Sequence, residues 1–196
     1  MDLTTLARVK ARLGKTSSED TADDAQLAML IQGVSRRIER HLDRELERVA
    51  RTEYLSVRQW RTQYALRAYP VASVASVYFD PESVFGADTL LTSTDYVIDD
   101  EVGAIVLRST PLADAPRALK VVYTGGIADD VDALVADDEW RDLVLAADRE
   151  VVAEFKRIGS ELVQSTTHQG GTVSYVEDGF LRGTLGILDR HRRMGV

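Results

Sequence analysis

The sequence contains no cysteine among its 196 residues. This absence excludes disulfide bonds, thiolate nucleophiles and the zinc or iron–sulfur sites that depend on cysteine. Long apolar runs of the kind that cross a membrane are also absent, and residues 1–15 alternate charged and apolar side chains instead of joining a basic flank to an apolar block. We therefore expect no membrane span and no export signal.

Basic residues are too few for a dedicated nucleic-acid-binding protein. The chain has 24 Lys and Arg against 32 Asp and Glu, which gives a formal net charge of −8. Tight sequence-independent binding to DNA needs cations that displace counterions from the phosphates. The charge is also uneven, because residues 129–157 hold ten acidic against four basic residues, whereas residues 182–196 are basic.

Catalytic motifs are missing as well. The chain has no phosphate-binding glycine loop that ends in Lys-Ser or Lys-Thr, no Gly-x-Ser-x-Gly turn and no His-Glu-x-x-His helix. His41, His168 and His191 are scattered along the chain, and a lone surface histidine is usually solvated. We expect no enzyme, no catalytic residue and no cofactor.

Two other sets of residues are candidate binding sites. Clustered carboxylates such as those at 129–139 suit a divalent cation, but Val135 stands where a calcium loop that starts at Asp130 needs glycine, so a solvated acidic loop is favoured. The second set mixes aromatic and basic residues, as a nucleic-acid platform would. It comprises Arg58, Trp60, Arg61 and Tyr64. Its aromatic side chains are instead expected to pack on a half-buried sheet face.

The apolar spacing predicts helices at both ends of the chain. A short helix follows Thr4 or Thr5, and the strongest helical stripe extends over residues 21–48. Another long helix is capped by Asp137 or Asp138 and continues to Ile158, with Trp140 on its apolar face. A short basic helix over residues 185–193 closes the chain.

The middle of the chain changes to the two-residue period of β-strands. Six strands are predicted, at residues 52–57, 63–67, 73–79, 95–99, 104–108 and 119–124, and all four prolines fall in this region. The fold class is therefore α+β: a helical bundle of two N-terminal helices and a long C-terminal helix, with an inserted antiparallel β unit and an extended C-terminal arm with a short helix. The expected parts are residues 1–50, 51–126, 127–160 and 161–196.

The order of these segments resembles the head-to-tail connector (adaptor) family of tailed bacteriophages, prophages and gene transfer agents. The resemblance lies in residues 3–14, 23–27, 31, 38–44, 70–77, 96–99, 103–107, 121–126, 170–175 and 188–193. Each segment alone is a common cap, stripe or turn, and their order is the specific signal.

This resemblance implies a structural protein of the virion neck that assembles in the host cytoplasm. It would form a ring of twelve copies between the portal and the stopper or tail-terminator protein, and DNA would pass through without specific binding. The C-terminal segment would bind the portal through Leu185, Ile187, Leu188, Arg190, Arg192 and Arg193. The acidic region would contact neighbouring copies through Asp129, Asp130, Asp132, Asp137 and Asp138, with the basic tail as its partner.

Three alternatives remain open. A head-completion, stopper or tail-terminator protein of the same neck comes first, although the two long predicted helices favour the connector. A metal-dependent enzyme would need convergent polar groups that the sequence does not display. A DNA-binding packaging factor would need a basic stripe longer than the short tail.

We predict that no metal ion supports the fold, because the acidic region departs from the calcium-loop pattern. Thermal unfolding with and without a chelator should give the same midpoint, since a metal bound only by the folded state would stabilise it. A large drop on chelation would instead identify a structural cation at residues 129–139.

Overall fold

The computed structural model describes residues 1–192 except 16, 18, 19, 112 and the segment 159–178, within which it describes only the backbone of two short strands. The chain divides into two compact units. Unit 1 comprises Met1–Leu42 and Asp130–Arg192, and unit 2 comprises Asp43–Asp129. Helices dominate unit 1 and antiparallel sheets dominate unit 2, so the predicted α+β class is confirmed. The finer division into four parts stays a prediction.

Unit 1 is built around one long helix. Its helices are α1 (Leu6–Arg12), α2 (Asp24–Leu42), α3 (Val131–Ala136), α4 (Arg141–Ile158) and α5 (Arg182–His191). Each of the other four helices packs against α4. The fully buried Leu27 and Ile38 of α2 and Leu143 and Val151 of α4 lie on the apolar stripes that the sequence predicts. Two short strands, β7 (Thr167–His168) and β8 (Gly171–Thr172), lie between α4 and α5 in the sequence and pair with each other in antiparallel orientation.

The first long helix is shorter than the sequence predicts. α2 begins at Asp24 and ends at Leu42, so the prediction of a helix over residues 21–48 is wrong at both ends. Asp43 adopts a left-handed conformation with φ of 52°, which an α-helix cannot continue through. Leu46 continues the helical spacing and is fully buried, but it lies in unit 2, where its carbonyl accepts the Ile127 N–H at 2.8 Å.

The other helix boundaries also differ from the prediction. α3 forms inside the stretch predicted to be an acidic loop, with the Asp130 carboxylate capping it by accepting the Ala133 N–H at 2.8 Å. α4 starts at Arg141, so Trp140 precedes the helix. α5 starts at Arg182, three residues before the predicted position, and ends at His191.

The described residues of unit 2 form six strands, each overlapping a predicted one. They are β1 (Val49–Val57), β2 (Gln63–Ala65), β3 (Val71–Phe79), β4 (Tyr96–Asp99), β5 (Ala104–Leu107) and β6 (Ala115–Gly125). One antiparallel sheet has the order β1–β6–β3 and the other has the order β2–β5–β4. Both sheets contribute to a single apolar core, in which Leu66, Ile105, Leu119 and Val121 are fully buried.

A buried carboxylate connects α1 to α4. The side chain of Asp148 is 0% exposed, and it accepts hydrogen bonds from the Thr4 hydroxyl, from Arg12 Nε at 2.9 Å and from Arg8 Nη2 at 3.3 Å. Burying a carboxylate is costly unless cations and hydrogen-bond donors surround it. The partners of Asp148 all come from the first twelve residues, so this carboxylate positions the N-terminal segment on α4.

We predict that Asp148→Asn lowers the free energy of unfolding by about 2–3 kcal/mol. Loss of one partner of a fully buried ion pair costs about 3–5 kcal/mol, and the effect is smaller here because both arginines keep some contact with water. Chemical denaturation measures the change. Asp132→Asn removes the same charge from an exposed site and should leave stability unchanged, and equal effects from the two variants would contradict the role of Asp148.

Candidate functional site

The C-terminal helix α5 is the segment that the sequence analysis assigns to partner binding, and it is docked on its own chain. It packs against α2 and α4. Leu188 is 0% exposed and Thr184 is 1% exposed, so one face of α5 belongs to the core of unit 1. Leu185 lies at the flank of this buried face and is exposed, and the opposite face, which carries Arg182, Gly186 and Arg190, is in contact with solvent.

A second buried carboxylate fixes the start of α5. Glu150 of α4 is 2% exposed, and its Oε1 accepts the Leu181 N–H at 2.8 Å while its Oε2 accepts from Arg37 Nη2 at 3.1 Å. Arg37 also bonds Glu154 at 3.0 Å, and its guanidinium carbon lies 4.6 Å from the centre of the Phe180 ring. Charge-assisted hydrogen bonds of this kind are stronger than neutral ones, so Glu150 and Arg37 hold the chain at the point where it enters α5.

Polar contacts also fix the far end of α5. Asp142 lies 2.8 Å from His191 Nε2 and 3.0 Å from Arg190 Nη2, and the His191 ring packs on the Trp140 ring with a centroid distance of 4.5 Å. Asp189 lies 3.1 Å from His41 Nε2. The expectation that lone histidines are simply solvated is therefore wrong for His41 and His191, because both take part in docking α5.

The residues expected to bind a portal thus occupy different environments. Leu188 is buried in its own chain, and Arg190 is paired with Asp142, so neither is free to engage a partner in this conformation. Leu185 is 36% exposed, Ile187 is half-buried and Arg192 is exposed. Arg193 lies outside the described residues.

The five acidic residues expected at subunit contacts are all exposed. Asp130 caps α3, the Asp137 carboxylate accepts the Glu139 N–H at 2.9 Å, and Asp138 pairs with Arg141 at 2.7 Å. Within the described part of the chain, no three acidic or histidine side chains are arranged to hold a metal ion. These carboxylates therefore form a solvated acidic surface.

The aromatic residues near Arg58 only partly follow the prediction. Tyr64 is 5% exposed and packs in the core of unit 2, as expected for a sheet residue. Trp60 is 68% exposed and has a φ of 63°, so the expectation that it packs on a sheet face is wrong. It lies in the turn between β1 and β2.

Of the helices that the structure describes, none is long and apolar enough to cross a bilayer.

An aromatic surface on unit 2 was not anticipated from the sequence. Lys120 of β6 is in register with Tyr54 of β1 and with Tyr78 of β3, which places the three side chains in one row across the sheet. The Lys120 Nζ lies 4.8 Å from the centre of the Tyr78 ring, and the Arg117 guanidinium carbon lies 4.7 Å from that of Tyr54. Phe85 joins the row, with its ring centre 5.5 Å from that of Tyr54.

The loop that carries Phe85 is held by one carboxylate. Asp80 accepts the N–H groups of Phe85 at 2.7 Å, Val84 at 2.8 Å and Glu82 at 2.9 Å. These bonds to the charged form, the strongest of them from Phe85, lower the pKa of Asp80 below its usual 3.8. The strand register brings Tyr54, Lys120 and Tyr78 together, and that register is not readable from the separate strand patterns.

The chain is similar to a known family and to several solved structures. The model of the family described as "Head completion protein" matches residues 2–194. None of the curated proteins matches the chain significantly.

The similar structures come from gene transfer agent (GTA) particles. "Virion of native gene transfer agent (GTA) particle" and "Neck of empty GTA particle computed with C6 symmetry" each match with a TM-score of 0.63 and 18% identity, over 97% of this chain and 90% of theirs. "Neck of native GTA particle computed with C12 symmetry" matches with a TM-score of 0.55 and 16% identity, over 88% of this chain and 84% of that one. At this level of identity the likeness shows a shared fold.

We predict that Leu188→Ala destabilises the protein much more than Leu185→Ala. Removing a fully buried leucine side chain costs about 2–5 kcal/mol, whereas an exposed position usually changes stability by less than about 0.5 kcal/mol. Thermal and chemical denaturation of the two variants measures the difference. If both substitutions cost equally little, α5 is not docked on the free chain.

Proposed function

The chain belongs to the head completion protein family, and from that premise we propose that it is a structural protein of the neck of a tailed bacteriophage or a related particle. In this role it assembles in the host cytoplasm and connects the head to the tail. The observation that carries the proposal is the match of one family over almost the whole chain. The likeness in fold to proteins of GTA necks supports the same location.

Within the neck, we propose that copies of the chain form a ring of twelve that acts as the adaptor between the portal and the stopper or tail terminator. The similar GTA necks have C6 symmetry in one structure and C12 symmetry in the other, which supports a ring of this order. The ring surrounds the DNA path. A net charge of −8 favours passage over binding, because a negative wall repels phosphates and allows DNA to slide.

The proposed role involves no catalysis. The two carboxylates buried in unit 1, Asp148 and Glu150, are engaged by Thr4, arginine side chains and a backbone N–H, and these contacts serve docking between helices. A catalytic site instead needs polar groups that converge on an open cavity. The contacts of these two carboxylates therefore support a structural role.

The portal contact is assigned to the solvent-facing side of α5. Leu185 of α5 and Arg192, the residue that follows the helix, are both exposed, and arginine is enriched among the residues that dominate protein interfaces. Leu188 then has an indirect role, because it holds the helix on unit 1. Arg190 contributes to the portal contact only if it leaves Asp142, and Ile187 contributes at the edge of the exposed face.

A second possible role within the same neck is that of a head completion protein, which is the name of the matched family. A head completion protein that joins after the adaptor would bind an adaptor-bearing portal and would not bind the bare portal. The two roles differ in the surface that receives this chain, so a binding experiment separates them.

We predict that the double variant Leu185→Ser with Arg192→Glu loses at least about tenfold in affinity for purified portal, because it removes the apolar anchor and reverses the charge. The variant should fold normally, since both residues are exposed. Pull-down with bare portal measures the loss, and Met29→Ser with Arg36→Glu, on the exposed side of α2, is the matched control. Binding that requires adaptor already on the portal would assign the chain to the second role, and unchanged binding of the α5 variant would move the anchor elsewhere.

A further inference from the structure

A basic groove lies on unit 1 beside the C-terminal half of α4. Its walls carry Arg12, Arg149 and Lys156, and its floor is apolar. The floor residues are Val152, Ala153 and Leu181. Leu181 is 36% exposed, so the floor is accessible to a partner.

Two of the three cations of this groove, Arg149 and Lys156, have no ion-pair partner among the residues that the structure describes. Arg12 donates a hydrogen bond from Nε to Asp148, but Arg8 also pairs with Asp148. One buried carboxylate therefore balances the charge of only one of these two arginines. Basic side chains tend to lie near helix C-termini because of the helix dipole. The helix dipole explains why the side chains of the groove are basic. It does not explain why two of them lie close together without an acidic partner.

The opposite end of the same helix carries the complementary charge. We define the acidic face as the exposed carboxylates of Asp130, Asp132, Asp137, Asp138 and Glu139, on α3 and just before α4. At 1.5 Å per residue, α4 places the acidic face and Lys156 about 25 Å apart. A rigid helix between them prevents the acidic face from reaching the groove of its own copy.

We propose that the groove receives the acidic face of a neighbouring copy of this chain. The inference rests on the proposed ring and names its contact: residues 130–139 of one copy lie against Arg12, Arg149 and Lys156 of the next. Different surfaces of the two copies meet, which is the head-to-tail arrangement that closes into a ring when the rotation allows. Because both surfaces belong to unit 1, the contact involves a single compact body from each copy.

The groove replaces the basic tail as the partner of the acidic region. Arg190 and His191 of the tail already contact Asp142 of their own copy, whereas Arg149 and Lys156 are available. The small exposed side chains Ala133 and Ala136 of α3 suit close approach to the apolar floor of the groove. The interface therefore combines charge pairing at its rim with apolar contact at its centre, as protein interfaces commonly do.

Reversing charge on each surface separately, and then mixing the two variants, tests this contact. The groove variant carries Arg149→Glu and Lys156→Glu, and the face variant carries Asp132→Lys and Asp138→Lys. Each alone should associate roughly a hundredfold more weakly than the wild type at low salt, because like charges then meet. Mixed in equal amounts, they should associate again, since each groove now meets a face of opposite charge, and the rings should contain the two variants in alternation.

Sedimentation velocity and electron microscopy measure the assemblies, and circular dichroism shows that each variant is folded. Association of the wild type should weaken as salt rises past about 0.15 M, where the screening length is about 8 Å. The control is Arg36→Glu with Arg40→Glu, which makes the same change in charge on the exposed side of α2 and should leave association unchanged.

The outcomes separate this inference from the proposed function. A groove variant that associates as well as the wild type, or a mixture that is not restored, overturns the contact while leaving the neck role in place. A wild-type chain that stays monomeric at low salt also overturns it. Restored association of the mixture together with failure to bind either portal or adaptor-bearing portal would support the contact and contradict the neck role.

Discussion

Two carboxylates buried on one helix determine how unit 1 is put together. Asp148 and Glu150 sit two residues apart on α4, so they point in different directions around the helix axis. Neither is stable away from water without donors, and each therefore requires a neighbouring segment to bring them. The N-terminal residues supply the donors for Asp148 and α2 supplies Arg37 for Glu150, while the backbone at Leu181 adds one more. The docking of α1, α2 and α5 on α4 follows from this requirement.

The sequence predicts the elements better than their boundaries and their contacts. The six strands of unit 2 are confirmed because alternation and turn residues mark each one independently. The predicted C-terminal end of α2 is wrong because Leu46 continues the helical spacing. An apolar residue at that spacing does not reveal which of two cores buries it. The sequence does not identify Asp148 and Glu150 as buried. A carboxylate beside an apolar stripe gives the same pattern whether it is exposed to water or paired with an arginine. The arginines that decide the matter are more than a hundred residues away in the chain.

The candidate binding site was predicted in part for a related reason. The family resemblance is confirmed, although the matched family has the name of the role that the sequence analysis placed second. The apolar spacing identified α5 as amphipathic, but amphipathicity does not tell a face that binds a partner from a face that packs on its own chain. Leu185 and Leu188 are three residues apart on the same helix, and the sequence pattern does not distinguish them. Only the tertiary structure shows that Leu185 is exposed and that Leu188 is buried. The basic groove is likewise built from α1, α4 and the start of α5, which no local pattern brings together.

At the end of β6 the backbone passes so close to neighbouring segments that only glycine fits. A Cβ on Gly125 would lie 2.4 Å from the Ala68 carbonyl oxygen, and one on Gly126, where φ is 124°, would lie 2.3 Å from that of Glu47. Rigid backbone causes both clashes, so no side-chain rearrangement relieves them. Any other residue at either position would force the backbone of a neighbouring segment to move, whereas exposed surface positions have no such limit. The route of the chain past Ala68 and Glu47 therefore depends on two residues that carry no side chain.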